Sequence, residues 1–330
     1  MVGKKKIALL VCGLLSMSIF AGCSSSSKSD DVKEVGIVQI IQHPALDSAN
    51  QGFIDGLKEK GFEEGKNLKI ESQNAQGKID VAQQIAGQFV SSNKDLIFSI
   101  ATPTTQSCLN ATKTIPVVFS AVTDPVADGI VKDLKNSGNN ATGTSDKVNI
   151  EEQLELLKKL LPNVKTLGFI YTTSETNSVN QLNELKGLAS KFDLTIKEIG
   201  VANINEINQN LANASGSIDA LYAPTDNNVA ASYDLVAKIC LDNNVPVMGA
   251  EPAIVEKGGF VCKGIDYYEL GKMAGYKAAE IFNGKKPSEI PSETMKELKI
   301  TINTDAAKKL KITIPDDIDK IATKVTGGVN

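Results

Sequence analysis

The chain reads as an α/β protein made of two similar lobes, each a doubly wound parallel sheet. Strand-like apolar runs alternate with helical patterns along most of its length, which is how βαβ units and parallel sheets announce themselves. The alternation then starts again at an offset of about 120–130 residues, a domain-sized period. A third regularity is a set of joints in which a polar residue and a proline follow a strand: His43-Pro44, Thr102-Pro103, Asp124-Pro125 and Glu251-Pro252. Proline suits the first position of a helix, so these joints predict strand-to-helix turns.

The first half is predicted in this order. Val35–Ile41 is a short apolar strand, and Ala45, Leu46, Ala49, Phe53 and Leu57 mark one face of a helix over Pro44–Lys60. Leu68–Glu71 is a strand. Ile79, Ala82, Ile85, Ala86, Phe89 and Val90 then repeat the helical spacing. Asp95–Ala101, a helix over Thr104–Thr112, and Ile115–Ser120 follow.

In the second half, Thr166–Tyr171, a helix near Val179–Lys191 and Leu194–Ile199 match the opening unit. Ile204–Ala214 and Ile218–Ala223 match the next. Ile100-Ala101-Thr102-Pro103-Thr104-Thr105, then Ile115-Pro116-Val117-Val118, finds its counterpart in Tyr222-Ala223-Pro224-Thr225-Asp226, then Val245-Pro246-Val247-Met248. The polar stretch Asn136–Asn149, with Gly138 and Gly143, is the natural crossing between the halves.

Residues 1–22 read as an export signal: Lys4-Lys5-Lys6, an apolar run from Ile7 to Phe20, then Ala21-Gly22 before Cys23. The run is too short for a membrane span, which needs roughly 20 residues. The order resembles a bacterial lipoprotein signal, in which Cys23 is lipidated and becomes the new N-terminus. The serine-rich stretch from Ser24 then serves as a flexible linker to residue 32, and the mature chain sits on the extracytoplasmic face of the membrane.

Composition narrows the function. A formal net charge of −4 with no basic cluster after the signal excludes nucleic acid as a partner. All 35 basic residues are lysine. Without a guanidinium fork, an anionic ligand group must meet backbone N–H groups, hydroxyls or a lysine. Cys108, Cys240 and Cys262 fit neither a disulfide framework nor a zinc site and read as buried thiols. His43 is the one histidine and reads as a residue at a helix start. No nucleophile elbow, zinc-protease helix or phosphate loop is present, so no enzyme, cofactor or metal is expected.

Several segments together resemble the substrate-binding lipoproteins of a bacterial ABC importer family, of the tryptophan/tyrosine-binding type. They are Gln42-His43-Pro44-Ala45-Leu46-Asp47, Ala75-Gln76-Gly77, Thr102-Pro103, and Phe119-Ser120-Ala121-Val122-Thr123-Asp124-Pro125. They continue with Tyr171-Thr172-Thr173-Ser174-Glu175-Thr176-Asn177-Ser178, Pro224-Thr225-Asp226-Asn227, and Gly264-Ile265-Asp266-Tyr267-Tyr268-Glu269-Leu270-Gly271. The likeness extends from about Glu34 to Leu310. It implies the type I periplasmic-binding-protein fold with three hinge crossings, an ABC permease with its ATPase as partners, and an aromatic amino acid as ligand. On that pattern lobe 1 comprises residues 33–145 plus 264–296, and lobe 2 residues 146–263 plus 297–330. Gly258–Gly264 is then the second crossing, the helix Tyr268–Phe282 covers lobe 1, and Glu297–Ile302 is the last crossing.

Parallel sheets bind ligands at the carboxyl ends of their strands, where the proline joints fall. Helix N-termini there offer free N–H groups to an anion. The expected contacts from lobe 1 are Thr102, Thr104, Ser120 and Asp124, with the hydroxyls and N–H groups near Thr102 and Ser120 meeting a carboxylate. From lobe 2 they are Tyr171, Ser174, Asn177, Tyr222, Asp226, Asn227 and Glu251, and Asp266 stands at a crossing. Asp226 or Glu251 would pair the ligand ammonium, because a buried cation requires an anion. Tyr171 or Tyr222 would pack on an aromatic side chain. The expected protein is a monomeric receptor that closes by hinge motion. A receptor for another small polar solute, or a surface adhesin on the same scaffold, remains the alternative.

Overall fold

The computed structural model describes residues 32–295 and 297–329; the expected export signal, Cys23 and most of the expected linker lie outside the described residues. Lobe 1 opens with β1 (Lys33–Gln39), α1 (Pro44–Glu59), β2 (Leu68–Asn74), α2 (Ile79–Ser91), β3 (Leu96–Ile100), α3 (Thr102–Ala111), β4 (Val117–Ser120) and β5 (Ala141–Ser145). Lobe 2 follows with α4 (Ile150–Leu160), β6 (Thr166–Thr172), α5 (Thr176–Ala189), β7 (Thr195–Val201), α6 (Ile207–Ser215) and β8 (Ala220–Ala223). It goes on through α7 (Asn227–Ala230), α8 (Tyr233–Asp242), β9 (Val247–Gly249), α9 (Ala253–Glu256) and β10 (Val261–Gly264). The chain then returns to lobe 1 for α10 (Tyr267–Phe282) and β11 (Glu293–Thr294), and ends in lobe 2 with β12 (Lys299–Asn303) and β13 (Thr323–Val325).

One sheet runs β11-β5-β4-β3-β1-β2 and the other β13-β12-β10-β9-β8-β6-β7. From the opposite end, the common part of each has the same order: β2-β1-β3-β4-β5 and β7-β6-β8-β9-β10. The internal repeat is therefore a repeat of topology. Its pairings are parallel; β12 alone, arriving from the last crossing, runs antiparallel to β10. Central strands such as β3 and β4 are buried along their whole length, as expected where helices cover both faces, whereas the edge strand β2 is largely open.

Local chemistry explains where the helices start. Pro44 opens α1, and its buried face is Ala45, Leu46, Ala49, Phe53 and Leu57, the spacing that predicted it. Asn149 caps α4 by accepting from the Glu152 N–H at 3.3 Å, with Glu151 and Glu152 in the first turn and Lys158 and Lys159 in the last. The returning helix α10 is fixed to α1 at unusually short range. A Cβ at Gly271 would lie 1.9 Å from the Ala49 carbonyl oxygen, and one at Gly52 would lie 2.0 Å from that of Tyr268. Gly56 and Gly275 continue the seam, and the Tyr268 hydroxyl donates to Asp55 at 3.0 Å.

Three boundaries differ from the expectation. The stretch Asn136–Asn149 contains β5, hydrogen-bonded to β4 and β11, so the first crossing begins only after Ser145. Gly258–Gly264 likewise holds β10, paired with β9 and β12, and the second crossing follows it. The segment Glu297–Ile302 carries most of β12 rather than a free crossing.

The lobes meet face to face. Thr123 and Thr225 share a hydrogen bond of 2.9 Å, Asn180 donates to Asp128 at 2.9 Å, and Gln106 donates to Thr176 at 3.3 Å. Each pair joins lobe 1 to lobe 2, so the cleft is closed.

Candidate functional site in the cleft between the lobes

The strand ends that face each other across the cleft carry a concentration of buried polar groups. In both sheets the strand order reverses beside the first strand, at β1/β3 and β6/β8, the place where such sheets hold ligands. Lobe 1 brings His43 after β1, Thr102 after β3 and Ser120 at the end of β4, and Asp146 follows at the first crossing. Lobe 2 brings Glu175 and Asn177 after β6, Asp226 and Asn227 after β8, and Glu251 after β9.

The lobe 1 wall is built from hydroxyls and a helix start. Ala101 holds φ 87° and ψ 159°, a conformation that costs a residue with a side chain about 1–3 kcal/mol. That kink lets α3 begin immediately at Thr102, whose buried hydroxyl has no partner in the protein. The Thr104 hydroxyl is committed to its own helix start, donating to the carbonyls of Ile100 and Ala101. Ser120 shares a hydrogen bond with Thr144 at 3.0 Å. Asp124 lies toward the rim, where it pairs with Lys147 and accepts from the Ala127 N–H. With Asn177 it lines a cavity of about 180 Å3.

The lobe 2 wall is acidic. Asp226 accepts from the Thr172 N–H (2.6 Å) and hydroxyl (2.8 Å), the Ser178 hydroxyl (2.7 Å) and the Val229 N–H (3.0 Å). Its oxygens are thus occupied in tying β6, α5 and α7 together. Glu175 accepts from the Asn227 N–H and side-chain amide and from Asn177. Asn177 also donates to the Thr225 carbonyl at 2.7 Å, leaving its own carbonyl oxygen free. Glu251 is buried, and its Oε2 has no hydrogen-bond partner. Beside it, Asp146 accepts from the Tyr267 hydroxyl at 2.8 Å while its Oδ1 stays unpartnered.

Burial pushes all four carboxyl groups upward. The Glu175 pKa is raised to about 8, by desolvation first and by the negative charge of Asp226 second. Glu251 is raised by desolvation and then by Asp146, Asp226 and Glu175, so the acids feel one another. Asp146 and Asp226 are raised by desolvation, against the hydrogen bonds they accept. The two buried lysines, Lys94 and Lys277, pair with Glu34, Glu71 and Glu293 away from this cluster. The one base in the cluster is His43, whose pKa is pulled down to about 4 by burial. Buried carboxylates of this kind need a counter-charge or protons.

Four expected contacts stand apart from this cluster. The Tyr171 hydroxyl goes to Glu198 on β7. Ser174 is exposed in the turn before α5. Tyr222 is fully buried inside lobe 2, its ring stacked on Phe169 with centroids 5.6 Å apart. Asp266 caps α10 by accepting from the Glu269 N–H and lies 3.6 Å from Lys299. With Pro44 and Pro252 it lines a cavity of about 370 Å3. Conversely, sequence reasoning passed over His43, Asp146, Glu175 and Tyr233, a buried residue at the start of α8 beside Glu251. The signal for His43 and Glu251 was the same, a polar residue before proline at a strand end. His43 occupies that position without capping the helix.

Cys108, Cys240 and Cys262 are buried free thiols. Among the described residues no group of His, Cys, Asp or Glu is arranged to hold a metal ion, and no helix is long and apolar enough to cross a membrane.

Comparison with known proteins places this geometry. A tyrosine-binding protein of Clostridioides difficile is 42% identical over 316 residues, covering 92% of each chain. An ABC domain from Streptococcus pneumoniae, solved in complex with L-Trp, is 36% identical, with a TM-score of 0.86 over 89% of this chain and 99% of that one. A ligand-free, open substrate binding protein with adhesive properties from Clostridium difficile is 44% identical over the same shares, yet its TM-score is 0.68. The chain thus matches the L-Trp complex better in shape than a more similar sequence in an open form, in keeping with its closed lobes. Solute binding proteins only 12–19% identical share the two-lobed type I periplasmic-binding-protein fold. The family model for ABC transporter substrate binding proteins matches residues 34–326. The chain belongs to the ABC transporter substrate binding protein family, and is a binding protein rather than an enzyme.

Proposed function

We propose that this protein is the lipid-anchored, extracytoplasmic receptor of an ABC importer, and that it captures an aromatic α-amino acid, tyrosine or tryptophan. The observation that carries the reading is the buried acid cluster without a lysine. It asks for a ligand cation, and an α-amino acid supplies one. The ammonium belongs between the free oxygens of Glu251 and Asp146. Asp226, with its oxygens already occupied by protein donors, shapes that wall instead. The carboxylate belongs at the start of α3, where the Thr102 hydroxyl and the helix N–H groups are free, with Ser120 nearby. The aromatic rings at the ammonium end are Tyr233 and Tyr267.

The family and the contacts that join the lobes support capture by hinge closure and delivery to a permease. Cys23, lipidated, would hold the receptor at the membrane, and the linker after it would raise its effective concentration there. A thermal-shift screen against the twenty amino acids tests the ligand: stabilisation by L-tyrosine or L-tryptophan is expected, and a hit only outside the amino acids would overturn the reading. Cys23→Ala should release the protein from membranes while leaving ligand binding intact. A second reading, adhesion, is favoured by the 44% identity to a protein described as having adhesive properties.

A further inference from the structure

One buried base in the cleft has no partner. His43 is 4% exposed, and neither ring nitrogen makes a hydrogen bond within the protein. Its Nδ1 lies 4.0 Å from Glu251 Oε2, across the cleft. It stands at the N-cap position of α1 without capping it, so the helix start does not explain the ring's placement. Leaving a buried donor or acceptor unsatisfied costs about 1–3 kcal/mol. Closure over an empty cleft would therefore be penalised, and a ligand group that meets the ring removes the penalty.

We propose that His43 contacts the ligand directly, one imidazole nitrogen accepting a hydrogen bond from the ammonium that Glu251 and Asp146 also hold. The inference rests on the amino-acid reading above. An ammonium has three donors, and these side chains offer an acceptor each from the β1–α1 junction, the segment after β9 and the first crossing. The three come together only when the lobes close, because His43 belongs to lobe 1 and Glu251 to lobe 2.

An imidazole accepts only when it is neutral. Burial keeps the ring uncharged down to about pH 4, while the neighbouring Asn227 side chain and the charge of Asp47 act in the opposite direction. The titratable groups around it are Asp47 on its own helix, Glu251 after β9, Glu175 and Asp226 around Asn227, Asp146 with Tyr267 at the crossings, and Tyr233 on α8. None of these carries a positive charge. In the open cleft the ring regains water, and its pKa returns toward the ordinary value of about 6.5. A pKa lowered on closure means that closure expels a proton below about pH 6.5. The affinity is then complete above that pH and falls as the pH drops toward 4. Those two values make the His43 contribution about 20-fold weaker at pH 5 than at pH 7.

Calorimetry with L-tyrosine and L-tryptophan at pH 7 and pH 5, on the wild type and on His43→Gln, isolates this contribution, because the carboxyl groups are common to both proteins. The ratio of Kd at pH 5 to Kd at pH 7 should be about 20-fold larger for the wild type than for the variant. Equal ratios, within about twofold, would overturn the inference. A single histidine also gives a single imidazole signal by NMR, which needs no variant. It should titrate near pH 6.5 in the free protein and below pH 5 with saturating L-tyrosine; an unmoved midpoint contradicts the proposal. A wild type that binds neither amino acid overturns the amino-acid reading and this inference together, whereas binding with a histidine-independent pH profile overturns the inference alone.

Discussion

The seam between α1 and α10 and the cleft between the lobes are both contacts between distant parts of the chain, and they are built on opposite rules. At the seam, Gly52, Gly56, Gly271 and Gly275 remove side chains so that two backbones touch. In the cleft, His43, Thr102, Asp146 and Glu251 each bury a polar atom without a protein partner. Close backbone packing makes the seam a source of stability. The unsatisfied atoms make the cleft costly when empty and selective when filled. The same chain keeps the two apart. The seam fastens the returning segment to lobe 1.

That contrast can be broken from either side. The largest effect is expected at the seam. Gly271→Val places a branched side chain where even a Cβ would sit 1.9 Å from the Ala49 oxygen. A loss of about 3 kcal/mol or more in urea unfolding is expected; a variant as stable as the wild type would show that the helices can separate at little cost. Glu251→Gln should do the reverse. It removes a buried acid held above its usual range by burial and by Asp146, Asp226 and Glu175, so the free protein should melt no lower than the wild type. Its affinity for L-tyrosine or L-tryptophan should fall roughly 10–100-fold by calorimetry, as for a lost charged hydrogen bond. Unchanged affinity would remove Glu251 from the site. The smallest effect is expected at the rim. Asn180→Ala loses only the 2.9 Å bond to Asp128 across the lobes. It should speed ligand release about threefold to tenfold in stopped-flow measurements with little change in melting; an unaltered release rate would mean that this bond does not hold the lobes shut.

Much of the fold was legible because its elements obey simple periods. Phe53 and Leu57 at helical spacing, and the largely apolar, fully buried run of β3, leave little choice. Strand β5 was hidden for a physical reason. Ala141-Thr142-Gly143-Thr144-Ser145 is small and polar, and it is a buried strand only because β4 and β11 pair with it from both sides. Such pairing across the chain leaves no local pattern. The same limit applied to the site. Strand ends and proline joints led to the cleft and to Thr102 and Glu251, and the family-like run Tyr171–Ser178 to Asn177. They could not say that Tyr171 turns to Glu198, that Tyr222 stacks on Phe169 inside lobe 2, or that donors from three elements occupy Asp226. Whether a carboxylate is a structural hub or a free acceptor depends on neighbours more than forty residues away, and sequence order does not carry that.

The central claim is that the cleft is built around an ammonium. Its most direct test is calorimetry comparing L-tyrosine with 3-(4-hydroxyphenyl)propionate, which keeps the ring and the carboxylate and lacks only the amine. A loss of about 100-fold or more is expected, since the analogue leaves the buried acceptors of Glu251, Asp146 and His43 unmet. Equal binding of the two compounds would contradict it.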